Sequence, residues 1–246
     1  GTFELIDTDI ITTAAVTKDY TNNGTATVTY GYEVDTAAEF KTAVTNANAS
    51  TENVKIKLSA NITLNESIII NNANGKNITI DGQNGNQRYT LTISSSSRAI
   101  QVKQLSGTIT LQNMNIVHGG TQMLLCLGEN SYTEATTKAL ALKMIDMDIT
   151  STSTYKYCLM ATQDLGVFNI EMTNVDVDWD NTKTNNKAEF LRCSENDPQT
   201  VYFKATGCTI DLADTNNAEA IHICGKVSGT FELIDTDIIT TAAVTK

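Results

Sequence analysis

A six-residue phrase recurs along this chain, and its spacing restricts how the backbone can run. It reads Leu111-Gln-Asn-Met-Asn-Ile116, then Met144-Ile-Asp-Met-Asp-Ile149, then Met172-Thr-Asn-Val-Asp-Val177. It continues as Ala205-Thr-Gly-Cys-Thr-Ile210 and Leu233-Ile-Asp-Thr-Asp-Ile238, with an early copy at Leu5-Ile-Asp-Thr-Asp-Ile10. From Leu111 on, successive copies start 28 to 33 residues apart. The first, fourth and sixth positions are mostly apolar or small and suit a core. The third position is Asp7, Asn113, Asp146, Asn174, Gly207 or Asp235. These residue types tolerate the left-handed backbone conformation, so a strand can bend sharply there.

Upstream of the later copies lies a second short strand: Ala99–Val102, Met123–Cys126, Tyr155–Cys158, Phe190–Cys193 and Ile221–Cys224. Each period therefore reads as strand, loop, strand, corner, strand, which is a coil of a parallel β-solenoid. Coils stack about 4.8 Å apart and bury apolar faces only against neighbours. Earlier alternating runs such as Val54–Leu58, Ile78–Ile80 and Tyr89–Ile93 extend the pattern. The expectation is an all-β, right-handed parallel β-helix of six or seven coils, about 30 Å long. One stretch departs from it. In Asp35–Ala47, Thr36 and Glu39 form a capping box, and Phe40, Ala43, Val44 and Ala47 share one helical face. A short helix there would cover the open end of the solenoid.

The first eighteen residues return unchanged as the last eighteen: Gly1–Lys18 and Gly229–Lys246 both read GTFELIDTDIITTAAVTK. The simplest cause is a tandem array with a period of about 228 residues, although a designed duplication gives the same letters. The expected organisation is a terminal rung at 1–18, a connecting strand segment at 19–33, a capping helix at 34–48 and the β-helix at 49–246. Residues 229–246 then form a last half-coil identical to 1–18.

Composition narrows function. The net charge of −11 and pI near 4.6 argue against nucleic acid and anionic membrane surfaces as partners. No run is apolar and long enough to span a bilayer. Abundant Thr and Asn, with Pro198 the single proline, suit short strands and polar corners. Cys126, Cys158, Cys193, Cys208 and Cys224 form no CxxC pair and read as free thiols, partly inward and partly outward.

The order of cap helix, Val54–Leu58 with Ile62–Leu64, Asn77-Ile-Thr-Ile-Asp-Gly82 and Gly107–Ile116 resembles the pectate-lyase-like β-helix superfamily, in particular its repeat-containing bacterial and archaeal surface proteins. The resemblance covers about residues 34 to 117 and implies fold rather than activity. Lyases of that superfamily use calcium-binding aspartates with an arginine base, and its hydrolases use clustered aspartates with His, Arg and Lys. Neither set is placed here. Arg88, Arg98 and Arg192 are scattered, His118 reads as an exposed turn residue, and His222 as solvent-facing.

Alternation puts Asp176, Asp178 and Asp180 on one face. A solvated acidic face is the preferred reading, with calcium held by these three as the alternative. Asn23, Asn48, Asn61, Asn65 and Asn77 match the glycosylation acceptor pattern. No cofactor is implied. The leading expectation is a non-catalytic repeat unit of an extracellular fibre, stalk or adhesin whose partners are neighbouring copies. A glycan-binding module using loops 127–137 and 181–187 beside Tyr132, Tyr155, Tyr157 and Trp179 is the alternative. A polysaccharide lyase or hydrolase comes third.

Overall fold

The computed structural model describes residues 29–103, 106–128, 139–153, 157–163, 166–180, 188–193, 198–212, 218–223 and 226–240. The described chain opens with β1 (Thr29–Val34) and α1 (Ala37–Ala49). The next coil is β2 (Asn53–Leu58), β3 (Ile62–Leu64) and β4 (Ile68–Ile70). β5 (Ile78–Asp81) follows, then a small antiparallel hairpin of β6 (Gln83–Asn84) and β7 (Gln87–Arg88), then β8 (Thr90–Ile93) and β9 (Ile100–Val102). The third coil is β10 (Gly107–Gln112), β11 (Asn115–His118) and β12 (Leu125–Leu127). In β13 (Ala139–Ser151) and β15 (Gly166–Trp179) the strand runs straight through the corner; each is followed by one more strand, β14 (Cys158–Thr162) and β16 (Ala188–Cys193). Then come β17 (Gln199–Thr206), β18 (Thr209–Asp211) and β19 (Ala218–His222), and finally β20 (Val227–Ile234) with β21 (Asp237–Ile239).

Every pairing between coils is parallel and in register. Because β13 and β15 pass through the corner, the first two sides join as one 13-stranded sheet, while the third side is a six-stranded sheet. The chain is thus a three-sided parallel β-helix. Alternation decides its core: Ile109, Leu142, Ile170 and Phe203 stack inside one side, and Ile116, Ile149, Val177 and Ile210 inside the next. Burying an aliphatic side chain of this size contributes about 1.5–3 kcal/mol, and each coil supplies several.

The corners carry the expected backbone. Asn113, Asp146, Asn174 and Asp235 have φ of 53, 52, 52 and 47°, and Gly207 has 62°. Asp7 lies outside the described residues. The corner side chains also bond along the stack, Asn174 Nδ2 donating to Asp146 Oδ1 at 2.9 Å.

The helix starts two residues later than read from sequence and ends two later, at Ala49. Thr36 is its N-cap, accepting the Glu39 N–H, while Glu39 reaches back to the Asp35 N–H. That bond holds Glu39 below the usual carboxylate range. Phe40, Ala43, Val44 and Ala47 are buried against the first coil. Buried Asn72 closes the other end, its Nδ2 donating to the Ala47 and Ser50 carbonyls while its Oδ1 accepts from Asn74 and Lys76. Asp81 also ties coils together: Lys55, Gln112 and Asn113 all reach its carboxylate.

Candidate functional site

Three places bring chemistry-bearing side chains together, each on a different surface of the solenoid. The first is the outward face of the first side. The register sets Lys143, Glu171, Lys204 and Glu232 in one column, and Ala141, Asn169, Tyr202 and Thr230 in the next. The charges alternate, so neighbours attract; Lys143 Nζ lies 2.9 Å from Glu171 Oε2. Together with Thr230 these side chains line a shallow concavity of about 340 Å³, in which Tyr202 is 44% exposed.

The second is a polar cluster on the third side. Strand parity would place Glu189 and Arg192 on opposite faces. Both Phe190 and Leu191 are buried, however, so the alternation breaks between them, and Arg192 Nη1 reaches both Glu189 carboxylate oxygens at 2.9 Å. His222 Nδ1 lies 3.2 Å from Glu189 Oε1, and the Arg192 guanidinium sits 5.5 Å from the Tyr157 ring centre. A buried carboxylate with cationic partners is the arrangement that makes its burial tolerable. Nearby Cys158 has its thiol pushed up to about 12, first by burial and then by the Glu189 charge, with Arg192 and Arg98 pulling the other way. A thiol held that high is not a nucleophile at neutral pH.

The third is the last described rung, β20 and β21. Phe231, Leu233 and Ile238 occupy the positions that are buried in every preceding coil of these sides. Here Leu233 is 45% exposed.

Several sequence expectations change. His118 is not an exposed turn residue. It is the inward-facing last residue of β11, fully buried, with Nδ1 3.0 Å from Ser151 Oγ. Counting two residues on from Ile116 predicts this; the following Gly-Gly obscured it. Burial lowers its pKa to about 4. His222 faces outward but is paired with Glu189 rather than simply solvated. Trp179 is fully buried, its Nε1 donating to the Ser153 carbonyl, so it offers no platform to a sugar. Arg98 and Arg192 both bear on Cys158, whereas Arg88 binds Asp148 at 3.2 Å.

Cys126 and Cys158 pack with Met123 and Ala161 in a cluster apart from the main core, which holds Cys193 and Cys208; all four are free and buried. The expected mixture of inward and outward thiols is therefore not seen among these four, and they form no column, since Cys126 stands beside Ala161, Cys158 beside Glu189 and Cys193 beside Thr162. Cys224 lies outside the described residues.

Asp176, Asp178 and Asp180 are exposed on one face, Asp176 beside Asp148 and Thr209 and Asp178 beside Asp211. Among the described residues no group of three His, Cys, Asp or Glu side chains is placed to hold a metal ion. Three of the glycosylation candidates are structural acceptors. Asn61 and Asn77 take the Thr90 and Thr108 N–H groups of the next coil, and Asn48 bonds Ile69 and Asn71. Asn65 is exposed, and Asn23 lies outside the described residues along with Tyr132, Tyr155 and both expected binding loops, of which only Leu127 and Gly128 are described. No described helix is long and apolar enough to cross a membrane.

Residues 31–143 match the family model of a putative pectate lyase-like adhesive domain. The match spans 113 of the 246 residues, from β1 into β13, so it takes in the cap helix and the first three coils. The resemblance read from the sequence is to the same kind of domain, and the match reaches beyond it at both ends. Comparison with curated proteins and with solved structures finds no match. The adhesive domain points to an adhesin-like role.

Proposed function

We propose that the chain is a non-catalytic structural unit of an extracellular adhesin, stalk or fibre whose copies join end to end. The observation that carries this reading is the terminal rung. Residues 229–240 repeat residues 1–12 letter for letter, and residues 229–240 form two sides of a further coil, in register on β17 and β18. A coil that returns at the same phase of a repeat adds length without new chemistry. The adhesive description of residues 31–143 supports a surface or extracellular role. The paired Glu189 and the buried, protonated Cys158 thiol beside it support a non-catalytic reading. The test has two arms. Antibodies against the chain are expected to label the outer cell surface and rods with a regular axial repeat. The purified chain is expected to release no unsaturated or reducing sugars from acidic polysaccharides, with or without calcium. Intracellular label or sugar release would overturn the reading.

A second reading is favoured by the concavity around Tyr202. An exposed ring beside Asn169, Thr230 and alternating charges is suited to stacking and hydrogen bonding of a sugar. A glycan array gives the readout: hits lost in Tyr202→Ala would support it, and a blank array would dismiss it.

A further inference from the structure

We propose that the outward face of the first side pairs with the same face of a second copy running in the opposite direction. This rests on the reading of the chain as an adhesin unit and names a partner for it: the same chain, presented from a facing surface.

Three columns of side chains make up the face, and each complements itself when the coil order is reversed. Parallel, in-register pairing sends Lys143, Glu171, Lys204 and Glu232 outward in one column. Reversed against itself, that column sets Lys143 opposite Glu232 of the second copy and Glu171 opposite Lys204 of the second copy. All four positions then meet the opposite charge. Toward the corner the next outward column is Ile145, Thr173, Thr206 and Ile234. It reads the same in both directions, so apolar meets apolar and hydroxyl meets hydroxyl. On the other flank stand Ala141, Asn169, Tyr202 and Thr230. Reversal brings Tyr202 over Asn169 of the second copy, beside small Ala141, and these residues line the concavity of about 340 Å³. A ring from each copy therefore has a hollow in the other to fill.

The symmetry follows from the fold. A two-fold axis lying in the face along the strands keeps the three columns aligned while reversing the coil order, and such a contact closes on itself as a dimer. A two-fold along the solenoid axis keeps the coil order instead. It sets Lys143 opposite Lys143 of the second copy and Glu171 opposite Glu171, and so gives no opposite-charge pair in this column. Exposed ion pairs add little affinity one by one, but they fix the orientation in which two surfaces meet. The reversed order is the one in which charge, shape and apolar positions agree.

Size sets the strength. Four coils about 4.8 Å apart and seven residues about 3.3 Å apart give a face of roughly 400 Å² on each copy. That is about half of what a stable complex buries on each partner. A single contact is accordingly weak and reversible, and many copies on each surface add their contacts. The reversed order suits that use, because rods rising from two facing surfaces meet running in opposite directions. A sugar in the Tyr202 concavity and a second copy would compete for the same ground, so one experiment can tell them apart.

Two forms of the full chain, Thr173→Cys and Thr206→Cys, test the arrangement with a short bis-maleimide, the unmodified chain setting the background. A mixture of the two is expected to cross-link between copies about tenfold faster than either form alone, because Thr173 faces Thr206 and not itself. The four described native thiols are buried. Thr173→Cys linking to itself as fast as to Thr206→Cys would overturn the proposal. Sedimentation velocity at rising concentration gives a second readout. The unmodified chain should self-associate, Glu171→Lys should lose the association, and adding Lys204→Glu should restore it by setting opposite charges across the contact again. Both variants place like charges side by side in their own column, so the rescue reads the contact rather than the fold. No association, or no rescue, would overturn the proposal. So would glycan hits lost in Tyr202→Ala without any association of copies, which would assign the face to a sugar. Intracellular labelling would remove the adhesin reading and leave the cross-linking result standing, so the two fall separately.

Discussion

His118 stands between Ile93 and Ser151 on the inner face of the second side, where burial keeps its ring neutral. Its folded pKa of about 4 lies below the ordinary value of 6.5. The unfolded chain therefore takes up the proton first as pH falls. The stabilising contribution is complete above about pH 6.5 and is lost toward pH 4, a change on the order of 3 kcal/mol. Urea midpoints at pH 7 and pH 4.5 should show this drop, and His118→Gln should flatten it. The corners behave differently, because their demand is on the backbone. Asn174→Val places a β-branched residue at φ 52° and should cost about 1–3 kcal/mol, whereas Asn174→Gly should cost about 1 or less. Equal losses in both variants would mean that the side-chain bond to Asp146, not the backbone, matters there. The corners were legible because tolerance of positive φ belongs to the residue type itself. The Glu189 cluster was not, since it depends on a break in alternation between two apolar neighbours that no single residue announces.

Among the described elements, α1 is the one helix, and both of its ends are pinned by side chains. The N-terminal device was readable from Thr36 and Glu39, because capping is local in sequence. The C-terminal one was not: Asn72 comes from a turn more than twenty residues away and looks like any other Asn in an Asn-rich chain. Asn72→Ala would strand two helix-end carbonyls and free the following turn. A loss of about 2–4 kcal/mol is expected, against about 1 kcal/mol for Thr36→Ala. Comparable small losses for the two would show that water replaces Asn72. The strands of the first two sides followed from the phrase because period-two alternation and the corner residue both lie within six positions. The third side was harder to read, since Leu124 and Leu125, and Leu159 and Met160, are buried in adjacent pairs.

For the described molecule, stability is a sum of neighbouring coils, and its first and last rungs are unequal. α1 packs Phe40, Ala43, Val44 and Ala47 against the first described coil, whereas Leu233 and Ile239 of the last described rung are exposed. Amide exchange should follow that asymmetry. Protons bonded between β10, β13 and β15 are expected to exchange orders of magnitude more slowly than those of β20 and β21. Uniform rates would indicate all-or-none opening instead.

The in-register stacking of coils also has a mechanical side. Tension applied along such a stack pulls on one coil at a time, so coils are released one after another. Each released coil of 28 to 33 residues pays out roughly 90–110 Å of chain. Single-molecule pulling should record steps of that length rather than one collapse. A surface tether built this way would lengthen under load instead of snapping.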